Sequence, residues 1–129
     1  MTTIADVMRP DFIEVAPEDT LGEVAERMTA KNVGAVVVKD YGRLIGILTE
    51  RDMLKAMAAR VHTSEARVRQ WMTEDPITAS AEMGVEEAAR VMLDNGFRHL
   101  PVMDDQGRVT GVVSLRRVVA ATQAATEAA

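Results

Sequence analysis

The chain contains no cysteine, so neither a disulfide nor a thiolate metal site can form. Its only histidines, His62 and His99, lie far apart, and a zinc site would have to join both with carboxylates; no metal is expected. Positive charge is also scarce: 15 Lys and Arg stand against 20 Asp and Glu, for a net charge of −5. That balance argues against generic nucleic-acid binding, which needs surplus cations to displace phosphate counterions. An isolated basic pocket stays open. No apolar run reaches the ~18 to 20 residues that a membrane span requires. The opening "MTTIADVMRP" has no cationic stretch leading into an apolar one, so a soluble cytoplasmic protein with no membrane partner is expected.

What is present is apolar bulk and repetition. With 129 residues, 47% of them hydrophobic, the chain can bury one core or two closely packed halves, but not two large independent domains. Placing Met8 on Met72 aligns Ile13 with Ile77, Glu18 with Glu82, Met28 with Met92, Val38 with Val102 and Asp40 with Asp104. After a one-residue insertion in the second copy, Gly42 falls on Gly107, Gly46 on Gly111 and Arg51 on Arg116. Residues 1–60 are read as the first repeat, 61–67 as a linker and 68–129 as the second repeat.

Each copy yields the same order of elements. The β-prone pieces "FIEV" and "PITA" lead into helices whose apolar faces are Leu21, Val24, Ala25 and Met28 in one copy and Val85, Ala88, Ala89 and Met92 in the other. Thr20 and Glu23 have capping-box spacing. Asn32 and Asn95-Gly96 supply helix stops, since both residue types tolerate the left-handed backbone. The pairs "AVVVKD" with "RLIGILT" and "HLPVMDD" with "RVTGVVS" read as hairpins turned at Gly42 and Gly107. Their continuous apolar runs predict strands covered on both faces. A last helix closes each copy, from about Glu50 to Ala59 and from about Leu115 onward. In the linker, Thr63 and Ser64 are expected to cap a short helix. The fold expected is α/β of α+β type: two β-α-β-β-α repeats related by a pseudo-twofold axis, with clefts between them as natural ligand sites.

Functional attention falls on "GILTERDML", which returns as "GVVSLRRVV". Both run from a glycine through apolar residues to a hydroxyl and into a helix whose free N–H groups favour anions. At the differing position Asp52 suits a helix start and Arg117 opposes it. Read alone, Thr49 and Asp52 make a capping box.

The repeat and "GILTERD" together resemble a tandem pair of cystathionine-beta-synthase (CBS) domains, over nearly the whole chain from about Ala5 to Ala121. That resemblance implies binding of an adenosine-containing ligand, AMP, ADP or ATP, with S-adenosylmethionine or NAD as further possibilities, and requires no cofactor. It implies that Asp52 takes the ribose hydroxyls and Thr49 holds phosphate or ribose oxygen, with Ile47 and Arg51 beside them and Ile77 lining the adenine slot. A carboxylate accepts from two vicinal hydroxyls whereas a guanidinium only donates, so Arg117 cannot replace Asp52. The second cleft is therefore read as lost, with a phosphate site of Ser114, Arg116, Arg117 and Arg98 as the alternative. Arg98 is preferred over His99 as the ligand-facing residue, because strand alternation sends the two to opposite faces.

The resemblance further implies a flat homodimer formed through helices, for which Met28, Met53, Met57 and Met92 offer adaptable contacts, although core filling is their simpler role. No phosphate loop, nucleophile elbow or His-carboxylate-nucleophile set is present in the sequence. The expected function is a stand-alone regulatory, non-enzymatic module that senses an adenosine nucleotide and signals to an unidentified effector protein by population shift. The other reading is a protein-interaction or dimerisation module with vestigial clefts.

Overall fold

The structure, a computed structural model, describes residues 2–128, with side chains through residue 124. The chain divides into two compact units: Phe12–Pro76, and Met1–Asp11 joined with Ile77–Ala129. The segment that leads each repeat thus belongs to the unit built on the other repeat.

In the unit of residues 12–76, strands β1 (Glu14–Val15), β2 (Ala35–Asp40), β3 (Arg43–Thr49) and β4 (Thr73–Glu74) form a four-stranded sheet in that order. The β1–β2 pair is parallel and the others are antiparallel. A run of β-branched valines suits β2 to a pleated surface, and Ala35, Val36, Val37 and Val38 are all buried, so both of its faces are withdrawn from water. Asp40 pairs with Arg43, which leaves Tyr41-Gly42 as a two-residue loop with φ of 51° and 78°. Two positive φ values in such a loop make a type I′ turn, whose twist matches the flanking strands.

Helix α2 (Leu21–Lys31) lays Leu21, Val24 and Met28 into the core; full burial of each such side chain stabilises by roughly 1.5–3 kcal/mol. The Thr20 hydroxyl accepts from the Glu23 N–H at 3.2 Å and donates to Glu23 Oε1 at 2.8 Å. Asn32, at φ 56°, ends the helix in the left-handed conformation. Helix α3 (Glu50–Ala58) follows β3 directly.

The linker differs from expectation. Its helix α4 (Val68–Trp71) begins after Arg67, whose backbone N–H donates to Gln70 Oε1 at 2.9 Å, and Thr63 and Ser64 do not cap it. Residues 62–66 instead turn, with the Glu65 and Ala66 N–H groups both donating to the His62 carbonyl. The Thr63 and Ala66 carbonyls accept from the Gly22 and Leu21 N–H groups at 2.9 and 3.0 Å. This stretch therefore satisfies the donors at the start of α2, which no residue of α2 itself can reach.

In the other unit, α1 (Ile4–Val7), α5 (Val85–Asn95) and α6 (Leu115–Ala128) accompany the antiparallel pair β5 (His99–Met103) and β6 (Val109–Ser114). Val85, Ala88 and Met92 bury the face of α5, and Gly96 ends it at φ 71°. The flanking strands shrink to single bridges, Ala79 parallel to Val102 and Arg9 antiparallel to Val112. "PITA" was expected as a strand, and Pro101 explains why only Ala79 pairs. In the first unit the Val37 N–H donates to the Ile13 carbonyl at 3.0 Å. Pro101 occupies the matching position and has no N–H to give Ile77, while the bonds Ala79 N–H to Pro101 O and Met103 N–H to Ala79 O survive at 2.9 Å each. The longer hairpin turn is built on Asp104, whose carboxylate accepts from the Arg108 and Gln106 N–H groups at 2.9 Å each. The Arg108 N–H above all holds that carboxyl below the ordinary aspartate range.

One packing relation is common to both units. A Cβ on Gly46 would lie 2.7 Å from Met72 Sδ and 2.8 Å from the Thr73 carbonyl oxygen, and one on Gly111 would lie 2.8 Å from Met8 Sδ. Each leading methionine therefore occupies the volume that a side chain on β3 or β6 would need.

Gly46→Ala and Gly111→Ala should each lower stability by about 1–3 kcal/mol through overpacking, with Gly46→Ala the more severe because the Thr73 carbonyl would stand 2.8 Å from its Cβ, whereas the Arg9 carbonyl would stand 3.1 Å from a Cβ on Gly111. Gly42→Ala, with open space around it, should lose only the left-handed backbone preference, roughly 1 kcal/mol. Urea melts of the three variants check this order; equal losses at Gly42 and Gly46 would contradict it.

Candidate functional site

The junction of β3 and α3 is built by reciprocal hydrogen bonds. Thr49, extended at φ −118° and ψ 168°, is the N-cap residue of α3. Its hydroxyl accepts from the Asp52 N–H at 3.3 Å, and Asp52 Oδ2 accepts from the Thr49 N–H at 2.9 Å and from the Thr49 hydroxyl at 3.1 Å. Asp52 is only 7% exposed, yet both bonds accepted by its carboxylate end on Oδ2. Among the described residues Oδ1 accepts none, and no fully buried side-chain oxygen is left without a partner. Oδ1 therefore keeps access to solvent and its acceptor capacity. The Glu50 N–H already donates to the Gly34 carbonyl at 2.9 Å, so the start of α3 offers an anion fewer free donors than a bare helix end would.

The corresponding junction of β6 and α6 keeps half of this arrangement. The Arg117 N–H donates to the Ser114 hydroxyl at 3.3 Å, and the Leu115 N–H donates to the Arg98 carbonyl at 2.8 Å. Among the described residues no carboxylate returns to Ser114, because Arg117 stands where Asp52 stands in the first copy. The Arg98, Arg116 and Arg117 side chains are exposed.

Ile47, Thr49, Arg51 and Asp52 thus gather at one strand-helix junction, with Ile47 and Asp52 buried and Arg51 exposed. Arg98, Ser114 and Arg117 gather at the matching junction of the other unit. Ile77 opens that second unit and is 40% exposed, whereas its repeat partner Ile13 is 6% exposed and belongs to the core. Sequence reasoning missed Gly34 and Met72, both in direct contact with the first junction's strand or helix. The alignment of Met8 with Met72 and of Gly46 with Gly111 carried the signal, since each methionine meets the glycine of the other repeat. Among the described residues, no group of three His, Asp or Glu side chains could hold a metal, and no helix is long and apolar enough to cross a membrane.

Comparison with known proteins agrees with this architecture. The CBS domain family is matched at residues 4–59 and again at 68–123. The chain belongs to that family and carries two copies of its domain. A CBS-domain protein of Agrobacterium tumefaciens has a solved structure that superposes with a TM-score of 0.86 at 32% identity, covering 94% of this chain and 99% of that one. The CBS domain pair of protein MJ0100, solved with 5′-methylthioadenosine and S-adenosyl-L-methionine, is 26% identical with a TM-score of 0.85, covering 96% of this chain and 98% of that one. CBSX2, solved with AMP, is 26% identical with a TM-score of 0.77, covering 98% of this chain and 99% of that one. Among curated relatives this chain spans 70% of the length of one and 61% of another.

Because the first junction holds a complete capping box and the second half of one, Thr49→Val should cost about 1–2 kcal/mol and Ser114→Ala about 0.5–1 kcal/mol. Arg117→Asp should stabilise, by about 0.3–1 kcal/mol, by supplying the missing acceptor and a negative charge at the helix start. Thermal melts at low salt measure all three; a loss of stability in Arg117→Asp would show that the arginine has a structural contact of its own.

Proposed function

We propose that this CBS pair is a regulatory module that takes an adenosine-containing ligand at the Thr49–Asp52 junction and has no catalytic role. The observation that carries the reading is the divided use of the Asp52 carboxylate. Oδ2 is committed to the cap, while Oδ1 remains an acceptor on a side chain already held rigid, so a ribose diol meets a carboxylate that need not reorganise. Capping and ligand binding are thus two uses of one group. AMP, S-adenosylmethionine and 5′-methylthioadenosine in the two ligand-bound neighbours supply the class of compound; ADP, ATP and NAD share its adenosine moiety.

At the second junction, Arg117 in place of an acid supports loss of diol binding, with Arg117, Arg116, Ser114 and Arg98 as anion donors in the alternative reading. Exposed apolar side chains on α3, Leu54 at 65% and Met57 at 72%, support a homodimer formed through helices. Signalling then follows from differential affinity: a ligand that binds one arrangement of the dimer more tightly raises its population, and an effector protein reads the change.

Two measurements test this. With AMP, ADP, ATP, S-adenosylmethionine, 5′-methylthioadenosine and NAD in turn, a true ligand at ~100 times its dissociation constant should add about 2.7 kcal/mol to stability. Asp52→Ala should abolish that gain while the protein still folds, and a gain that survives the substitution would place the ligand elsewhere. Light scattering during size-exclusion chromatography should give the mass of a dimer at micromolar concentration, and Leu54→Asp with Met57→Asp should give that of a monomer; a monomeric native protein would refute the dimer.

A further inference from the structure

Strand β3 runs without a break into α3, so the position of the Thr49 cap is inherited from the strand. Along one edge β2 holds β3 as far as Thr49, which pairs with Ala35. Along the other edge β4 pairs only Gly46 and Ile47, and that ladder stops short of the cap. Met72 sits where it stops. It immediately precedes Thr73, the partner of Ile47, and its thioether lies over Gly46, where even a Cβ would come within 2.7 Å. Its own N–H closes α4 by donating to the Val68 carbonyl at 2.9 Å. Helix α4 contacts α3, and Val68 is fully buried in the core of this unit. Residues 68–74 therefore grip both members of the junction, the helix through α4 and the strand through Met72 and β4.

We propose that Met72 is a positioning residue for the Thr49–Asp52 junction, acting through Gly46 and β3. Its effect on a ligand rests on the reading given above; its effect on the geometry of the cap does not. The missing side chain at Gly46 is what permits the contact, and an unbranched, polarisable thioether fills such a space with little strain. Without it, β3 loses lateral support at Gly46, three residues before the cap, and the Asp52 carboxylate is presented less rigidly. The other unit contains its own control, because Met8 lies over Gly111 in the same way, with Arg9 paired to Val112. A purely structural methionine would give the same result at both places.

The test uses the full chain with Met72→Ala, Met72→Leu and Met8→Ala, and AMP as the probe. Met72→Ala should weaken AMP binding by about tenfold, Met72→Leu should bring it back to within about threefold of the native protein, and Met8→Ala should leave it unchanged. In parallel, amide hydrogen exchange should accelerate at Asp52, whose N–H bonds to the Thr49 hydroxyl, in Met72→Ala but not in Met8→Ala. If Met72→Ala only lowers the melting temperature, with AMP affinity and Asp52 exchange as in the native protein, the proposal is overturned. Should the native protein not bind AMP, the ligand reading loses its support, while Asp52 exchange still decides the positioning role. Met72→Val carries the same two readouts should Met72→Ala not fold.

Discussion

The close approach of a methionine thioether to a glycine on β3 or β6 is the constraint on which the rest of the structure depends. Gly46 and Gly111 leave room for Met72 and Met8 respectively, and in each unit this fixes the segment that leads the following or preceding repeat against a strand-helix junction. A larger residue at either glycine would push that segment away. The bridge Arg9–Val112 and the short ladder of Thr73 and Glu74 with Ile47 and Gly46 depend on the same proximity. The glycine opening each "GILT" or "GVVS" run is thus explained by packing before any ligand is considered.

Duplication followed by divergence is visible in two local exchanges of chemistry. Where the first copy has Asp52, its capping box is closed in both directions; where the second has Arg117, the hydroxyl of Ser114 accepts from the helix but receives no carboxylate in return. Where the first copy has Val37, an N–H anchors the carbonyl of Ile13; where the second has Pro101, Ile77 has no such anchor and half emerges from the core. Both changes act on residues assigned to a ligand by family resemblance. The two junctions accordingly differ in charge, in hydrogen bonding and in apolar exposure despite their common backbone.

Much of this was legible in the sequence because it is written in local chemistry. Helix faces at Leu21, Val24 and Met28, stops at Asn32 and Gly96, and hairpins at Gly42 and Gly107 follow from periodicity and from residues that accept a positive φ. The Thr49–Asp52 relation was legible for the same reason, since its partners are three residues apart. What the sequence did not disclose is non-local. The linker does not cap its helix with Thr63, because the helix starts only after Arg67, and the Thr63 carbonyl accepts instead from Gly22, forty-one positions earlier. The crossing of leading segments between units needs knowledge of which strand edge is vacant, and the loss of the "PITA" strand needs the identity of its neighbour, Pro101, rather than its own β propensity.

The split composition of the second unit has a consequence for biosynthesis. Its residues 2–9 leave the ribosome before the stretch 12–76, while the segment 81–85 and β6, against which they dock, leave after it. The stretch 12–76 is contiguous and can close as soon as it emerges, in keeping with the tendency of domains to fold in order of synthesis. Residues 2–9 must wait, with Ile4 and Met8 unburied, until translation delivers the residues they pack against. Vectorial folding can thus close residues 12–76 first and bring residues 2–9 together with the later repeat afterwards.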